Sequence, residues 1–283
     1  MDQKKKKIIG IAAVVVAIVI GYFTYEHLSY VTTDNAQIFG HSLMMAPKVP
    51  GYITEVNVVE GQRVKKGDLL IQIDQRDYEN NLKQAKGELA STEARRRDAE
   101  RNYRRLVDLL SKGAVSQQQF DTSTAQYNDV KAKYDAIASQ VAQAELNLSN
   151  TKILAPVDGF IAKKSAEVGQ LAAGGVPLLG FIDAGERWII ANFKETEIEG
   201  IKIDAKVEIE VDAISGEKYE GKVESISSAT GATFTLLPPD NATGNFTKVV
   251  QRVPVKIKFV NLTPEQVVKL RTGLSAFIKV HKH

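Results

Sequence analysis

The sequence contains no cysteine. That excludes a disulfide framework, a thiolate nucleophile and a lipid-modified anchor cysteine. Histidine is scarce, and His27, His41, His281 and His283 have no spacing that would bring two imidazoles onto one metal. Neither sign of charge dominates: 37 Lys and Arg against 34 Asp and Glu leave a net +3 spread along the chain. A nucleic-acid reader carries a concentrated basic surplus, so no nucleic acid is expected as a partner. The HExxH, GxSxG, phosphate-loop and dinucleotide signatures are all missing, and the carboxylates are scattered rather than paired. No catalytic residue, cofactor or metal site is therefore expected.

With 43% hydrophobic and 25% charged residues, most of the chain should fold. There is one long apolar run. Lys4 to Lys7 precede Ile8–Tyr25, about 18 uncharged residues, near the lower limit for a bilayer core of roughly 30 Å. The lysines should remain cytoplasmic, with Tyr22, Phe23 and Tyr25 at the outer interface. No small-x-small cleavage site follows, so a retained single-pass anchor is expected rather than a cleaved signal.

Two segments about 108 positions apart repeat one pattern. Gly51, Gly61 and Gly67 in the first match Gly159, Gly169 and Gly175 in the second, and all six are expected as structural turn glycines. Alternation such as Ile53, Glu55, Val56 and Val58 between them reads as short strands. Pro50-Gly51-Tyr52-Ile53, Gly61-Gln62 through Leu70, and Ala155-Pro156 through Ile161 resemble the two halves of a lipoyl or biotinyl domain. In such carriers the cofactor sits on a lysine in the turn after the first half. Here Gln75-Arg76-Asp77 occupies that place, so the resemblance implies the fold without the carrier function.

Between the halves a heptad-like seam runs through Tyr78, Leu82, Ala85, Leu89, Thr92, Arg96, Ala99, Tyr103, Leu106 and Leu110. It resumes through Phe120, Ser123, Tyr127, Val130, Tyr134, Ile137, Val141, Ala144 and Leu148. A sustained period of about 3.5 residues without proline predicts an antiparallel coiled-coil hairpin. Gly113 is placed to end its first helix and Ser116 to cap its second. Arg95, Arg96, Arg97, Arg101, Arg104 and Arg105 alternate with Glu88, Glu93, Asp98, Glu100 and Asp108, which reads as a solvated, ion-paired face. Arg105, Leu109 and Ser116 stand in the order Arg-x3-Leu-x6-Ser. This is similar to the hairpin-tip motif by which efflux adaptors meet a TolC-like outer-membrane channel. The alternative is local: Ser116 as a helix cap and Leu109 as packing.

The last third alternates as short strands, at Trp188–Phe193, Lys206–Val211, Gly221–Ile226, Arg252–Phe259 and Ser275–Val280. Thr196 is a candidate cap of a short helix. A small β-barrel follows, completed by residues 28–45 pairing with the final strand. The polar stretch through Asn241, Gly244, Asn245 and Phe246 reads as a loop for transporter or drug contact, or as a barrel loop with one packing aromatic. Thr33-Asp34-Asn35-Ala36, Trp188 to Thr196 and Leu236 to Val255 resemble hallmarks of the HlyD family, EmrA branch.

The expected architecture is α+β, elongated and multi-domain. It comprises a cytoplasmic stub (1–7), transmembrane anchor (8–27), first barrel strand (28–45), lipoyl-like first half (46–76), α-helical hairpin (77–150), lipoyl-like second half (151–182), and β-barrel and membrane-proximal domain (183–283). The resemblance implies an inner-membrane adaptor with its bulk in the periplasm, hexameric, bridging a major-facilitator drug/proton antiporter to a TolC-like channel. Two further readings are an adaptor of an ABC-type exporter and a drug-binding accessory module.

Overall fold

The computed structural model describes residues 26, 28–230, 233 and 250–282. The apolar run at residues 8–25 lies outside them, and no described helix is long and apolar enough to cross a membrane. In chain order the elements are β1 (Tyr30–Met45), β2 (Gly51–Val56), β3 (Arg63–Val64), β4 (Leu69–Ile73), α1 (Arg76–Ser111), α2 (Gln117–Ser149), β5 (Lys152–Leu154), β6 (Gly159–Lys164), β7 (Leu171–Ala172), β8 (Leu179–Lys194), β9 (Lys206–Val211), β10 (Lys218–Ile226), β11 (Arg252–Phe259), α3 (Pro264–Lys269) and β12 (Ser275–His281). They form two units, one from Met1–His41 with Asp183–His283 and the other from Ser42–Ile182.

The first unit is a barrel. Its strands alternate so that one face is apolar: in β9, Val207, Ile209 and Val211 are buried while Lys206 and Glu210 face water. A sheet with one apolar face must cover it, and closing on itself does so without leaving an edge. The strand order runs β1, β12, β9, β10, β11, β8, and β8 returns to β1. Within the expected segment 28–45, Tyr30 to Gln37 pair with the last strand, with Val31 opposite Val280 and Thr33 opposite Ile278, while Ser42 to Met45 belong to the second unit. Ile38, Ile189, Phe193, Ile209, Ile257 and Ile278 fill the interior, each worth about 1.5–3 kcal/mol in transfer terms.

Two details of this unit differ from expectation. Thr196 caps nothing: the 3-10 turn is Ile198–Gly200, and Glu197 precedes it without a side-chain cap bond. Conversely, α3 has no counterpart among the expected elements, although Thr263-Pro264-Glu265-Gln266 carries its signal. Thr263 Oγ1 accepts from the Gln266 amide at 3.3 Å, and Gln266 Oε1 accepts from the Thr263 amide at 3.0 Å. Pro264 occupies the first turn, where its missing N–H costs nothing. Buried Arg187 secures the end of this helix. Its guanidinium donates to the carbonyls of Leu270, Asp183 and Glu186 at 3.1, 2.8 and 3.0 Å.

The second unit is a sandwich interrupted by two helices. One layer has the order β5, β4, β2, β7, and the opposite layer pairs β3 with β6 and β6 with the start of β8. Ile53, Leu70, Ile71, Ile73, Ile161, Leu178 and Phe181 close the space between them. The helices leave after β4 and return at β5, which lie side by side with Ile71 opposite Ile153. The Ile73 amide donates to Thr151 at 2.9 Å, which joins the feet of the two helices.

Candidate functional site

At about 1.5 Å per residue, α1 and α2 reach some 50 Å from the sandwich. They run antiparallel: Lys86 meets Glu145, Arg96 meets Tyr134, and Tyr103 meets both Tyr127 and Phe120. Every seam residue named from the sequence is buried or half-buried, and most other hairpin positions are exposed. Only Thr92, Ser123, Ile137 and Val141 are fully buried, and two of these carry hydroxyls. Asn102 Nδ2 reaches Ser123 Oγ at 3.3 Å. Arg96, the one charged residue among the seam positions, lays its guanidinium 4.8 Å from the centre of the Tyr134 ring. Its Nε is buried without a hydrogen-bond partner among the described residues.

The tip is built from two caps. Gly113 takes φ +67°, a left-handed conformation that closes a helix without a Cβ clash. The Gly113 amide donates to Leu110 and the Ala114 amide to Leu109, each at 2.9 Å. Ser116 opens α2 with a capping box: its Oγ accepts from the Gln119 amide at 3.3 Å, and Gln119 Oε1 accepts from the Ser116 amide at 3.1 Å. The carbonyl of Leu109 and the hydroxyl of Ser116 therefore both hold the turn. Leu109 is half-buried, while Arg105 and Ser116 are exposed.

Most neighbouring arginines are committed. Arg97 pairs with Glu93 at 2.5 Å, Arg101 with Asp98 at 3.0 Å, and Arg104 with Glu100. Arg105 has no ion pair or hydrogen bond among the described residues, which leaves a solvated cation within two turns of the tip.

The other expected sites fall as follows. Gly61, Gly67, Gly169 and Gly175 all have positive φ, from +81° to +89°. Gly51 and Gly159 are not turn glycines: they open β2 and β6. At Gly159 the requirement is space, because a Cβ would lie 2.3 Å from Phe181 Cζ and 2.5 Å from the Ile182 carbonyl. Where a carrier domain keeps its lysine, Asp74 and Arg76 form a salt bridge at 2.6 Å at the foot of α1. The Arg76 guanidinium and amide hold the Asp74 carboxyl at about 2. Asn241, Gly244, Asn245 and Phe246 lie outside the described residues. The strand ends that bracket them, Ile226 and Arg252, are on the same end of the barrel as Tyr30, since β1, β9 and β11 begin there while β8, β10 and β12 end there. On the barrel wall a cleft of about 540 Å³ is lined by Trp188, Lys256, Lys258, Phe259 and Leu262. Lys256 Nζ lies 5.1 Å from the Trp188 ring centre, and the His41 ring meets that ring edge-on.

The RND MFP barrel-sandwich hybrid domain matches residues 42–179. The chain is 31% identical to the multidrug export protein EmrA of Haemophilus influenzae, over 96% of this chain and 80% of that protein. It is 30% identical to the colistin resistance protein EmrA of Acinetobacter baumannii, over 98% and 95% respectively. A solved MacA-MexA chimera carrying the Pseudomonas aeruginosa MexA α-hairpin superposes with a TM-score of 0.63 and 25% identity, over 90% of this chain and 82% of the chimera. With barrel, interrupted sandwich and helix pair all accounted for, the chain belongs to the HlyD/EmrA-type membrane fusion proteins.

Proposed function

We propose that this chain is the periplasmic adaptor of a multidrug efflux assembly. Residues 8–27 anchor it in the inner membrane beside a major-facilitator drug/proton antiporter, and the hairpin tip meets a TolC-like outer-membrane channel. Six copies, with barrels and sandwiches side by side, would enclose the path. The observation that carries this reading is the hairpin itself. Its seam leaves only four side chains fully buried over two helices of 36 and 33 residues. A thin, solvated pair of this length gains little stability alone, so packing against neighbouring hairpins and a channel gives it a role. The uncommitted Arg105 at the tip supports contact there, and the barrel end that collects Tyr30, Ile226 and Arg252 suits a transporter contact through Asn241 to Phe246.

The cysteine-free chain allows a direct test by in vivo cross-linking. Single cysteines at Leu109 and Ser116 should link to cysteines at the periplasmic end of the channel, while one at exposed Gln126 should not. Drug resistance that persists without any tip cross-link removes the bridge. A second reading, direct drug presentation, is favoured by the cleft at Trp188. Loss of Trp188 fluorescence change on drug addition in Lys256→Ala protein would support it, and absence of any change in the unaltered protein would remove it.

A further inference from the structure

The barrel end that receives the N-terminal segment carries an apolar turn ringed by lysines. Glu26 holds Lys279 Nζ at 2.7 Å, Lys279 lies over the Tyr30 ring, and the Lys282 amide donates to the Ser29 carbonyl at 2.8 Å. Glu26, Ser29 and Tyr30 are thus fastened to the end of β12, and in the sequence the apolar run ends at Tyr25, immediately before Glu26. The 3-10 turn Ile198–Gly200, which leads into the turn before β9, lies alongside: a Cβ on Gly200 would be 3.3 Å from Lys282 Cγ.

The turn is held rigidly. The Ala205 amide donates to the Lys202 carbonyl at 3.2 Å, and Asp204 takes φ +65°. These are the features of a type II turn with Ile203 in its first central position. The flanking Ile201 and Ala205 are buried at 4% and 3%. The Asp204 amide bonds the Val223 carbonyl at 2.9 Å, and the Val223 amide bonds Ala205 at 3.1 Å. Pinned on both sides, Ile203 is pushed outward and is 62% exposed. A left-handed aspartate costs about 1 kcal/mol, spent here on displaying an isoleucine to the outside.

Lysines surround it. Lys202 begins the turn, Lys206 begins β9, and Lys222 is directly opposite Lys206 in the β9–β10 register. Like charges in directly opposed positions destabilise a sheet. None of the three forms an ion pair or side-chain hydrogen bond among the described residues. On the outer face of these strands Glu208 lies beside His281 at 3.7 Å and Glu224 pairs with Lys256 at 3.0 Å, which leaves Asp204 in the turn, Glu199 before it and Glu220, opposite Glu208, as the carboxylates near these lysines.

An apolar tip flanked by cations, at the barrel end to which the residues after the apolar run are fastened, has the chemistry of an interfacial contact. We infer that the 202–205 turn is a membrane-docking element: Ile203 enters the headgroup layer while Lys202, Lys206 and Lys222 engage anionic phospholipids. This rests on the anchor reading proposed above. It gives the barrel a second point of attachment to the bilayer and so a fixed attitude to it.

The test uses the full chain with one environment-sensitive fluorophore at a time, on Ile203→Cys, Val15→Cys or Ser215→Cys, the last at the opposite end of the barrel. Each is reconstituted in phosphatidylcholine vesicles with or without phosphatidylglycerol, and quenching by a headgroup-level lipid quencher is read. Strong quenching at 203 with phosphatidylglycerol, but not at 215, is expected. Lys202→Gln, Lys206→Gln and Lys222→Gln together should reduce it steeply, by up to about fivefold in occupancy per lysine. Quenching at 15 without quenching at 203 overturns the docking inference and leaves the anchor standing. Quenching at neither position overturns both. Equal quenching at 203 in neutral vesicles, or no loss in the triple variant, overturns the role of the lysines. Shielding of 203 from a water-soluble quencher without quenching from the lipid assigns the turn to a protein contact and overturns the inference.

Discussion

The amide of Gly61 donates to the carbonyl of Ile161 at 2.7 Å, and the same bond recurs in the other half, from Gly169 to Ile53 at 2.8 Å. Gly67 donates to Ala155 at 2.8 Å and Gly175 to Pro47 at 3.2 Å, again as counterparts. Gln62 Oε1 accepts from Val59 and Gln170 Oε1 from Glu167, both at 3.0 Å. The symmetry fails where chemistry forbids it. The Ala155 amide donates back to Asp68 at 3.0 Å, but Pro47, in the equivalent place, has no N–H to give.

The paired glycines serve two different needs, and substitutions should separate them. A Cβ at Gly61 meets nothing within 4 Å, so Gly61→Ala pays only for its left-handed φ of +81°, about 1 kcal/mol. Gly159→Ala drives a methyl against the Phe181 ring and the Ile182 backbone. It should cost about 3 kcal/mol or more, since backbone cannot step aside as a side chain does. Urea unfolding in detergent, followed by circular dichroism, compares the two. Equal losses would mean that the sandwich relaxes around position 159 and that φ alone matters.

In the hairpin, the Arg96 guanidinium over Tyr134 is worth about 0.5–1 kcal/mol, against a buried Nε without a partner and a gap in an apolar seam. Burying an unsatisfied polar group costs about 1–3 kcal/mol. The second effect is the larger, so Arg96→Leu should stabilise the hairpin and raise its melting temperature. Tyr134→Ala should lower it. A drop with Arg96→Leu would show that the stacked cation outweighs seam packing.

The hairpin was readable because its signal is periodic and long. Tyr78 to Leu110 and Phe120 to Leu148 each repeat the seam many times, and one arginine cannot erase it. The barrel strands were readable where alternation is strict, as at Lys206 to Val211. Short elements whose signal is a single local bond pattern were harder. At Thr196 a cap residue stands before a turn too short to use it, whereas Thr263, with the same chemistry plus Pro264 and Gln266, begins a real helix. Closeness through space has no sequence signal: nothing in the chain announces that Gly159 opens its strand against Phe181. The Ile203 turn was hidden for a similar reason, since the opposition of Lys206 and Lys222 exists only once β9 and β10 are paired.

Lys269, Glu217 and Tyr219 tie α3 to the β9–β10 turn, with Lys269 Nζ 2.6 Å and the Tyr219 hydroxyl 2.7 Å from Glu217. The bonds from Lys269 and then Tyr219 hold the Glu217 carboxyl below its ordinary 4.5. A depressed acid adds stability that is present above 4.5 and lost as pH falls through its folded value. Burial, then Glu217, pushes the Tyr219 phenol up from 10.0 to about 12. A raised group adds stability that is present below its unfolded value and lost as pH rises through the folded one, here between about 10 and 12. Melting temperature against pH should therefore lose an acid arm in Glu217→Gln and an alkaline arm in Tyr219→Phe. Unchanged profiles in both variants would show that the triad does not couple folding to pH.

The tip motif poses a question of role, because Ser116 already has a structural duty. Ser116→Ala removes the capping box and should cost about 1 kcal/mol of local stability, seen as faster amide exchange at residues 117–119. Ser116→Asn keeps a capping oxygen and should restore that protection. If the hydroxyl also contacts the channel, the asparagine variant will exchange slowly yet remain defective in drug resistance. If capping is its whole function, resistance will return with the protection. Arg105 supplies the complementary case. With no ion pair or hydrogen bond among the described residues, Arg105→Ala should change stability by less than about 0.5 kcal/mol. A large loss of resistance at unchanged stability would then come from a contact outside the chain. Arg104→Ala, which leaves Glu100 without its nearer cation, is the control, since it deletes the same charge one residue away. Equal losses in the two would mean that the tip responds to total charge rather than to the position that Arg105 occupies.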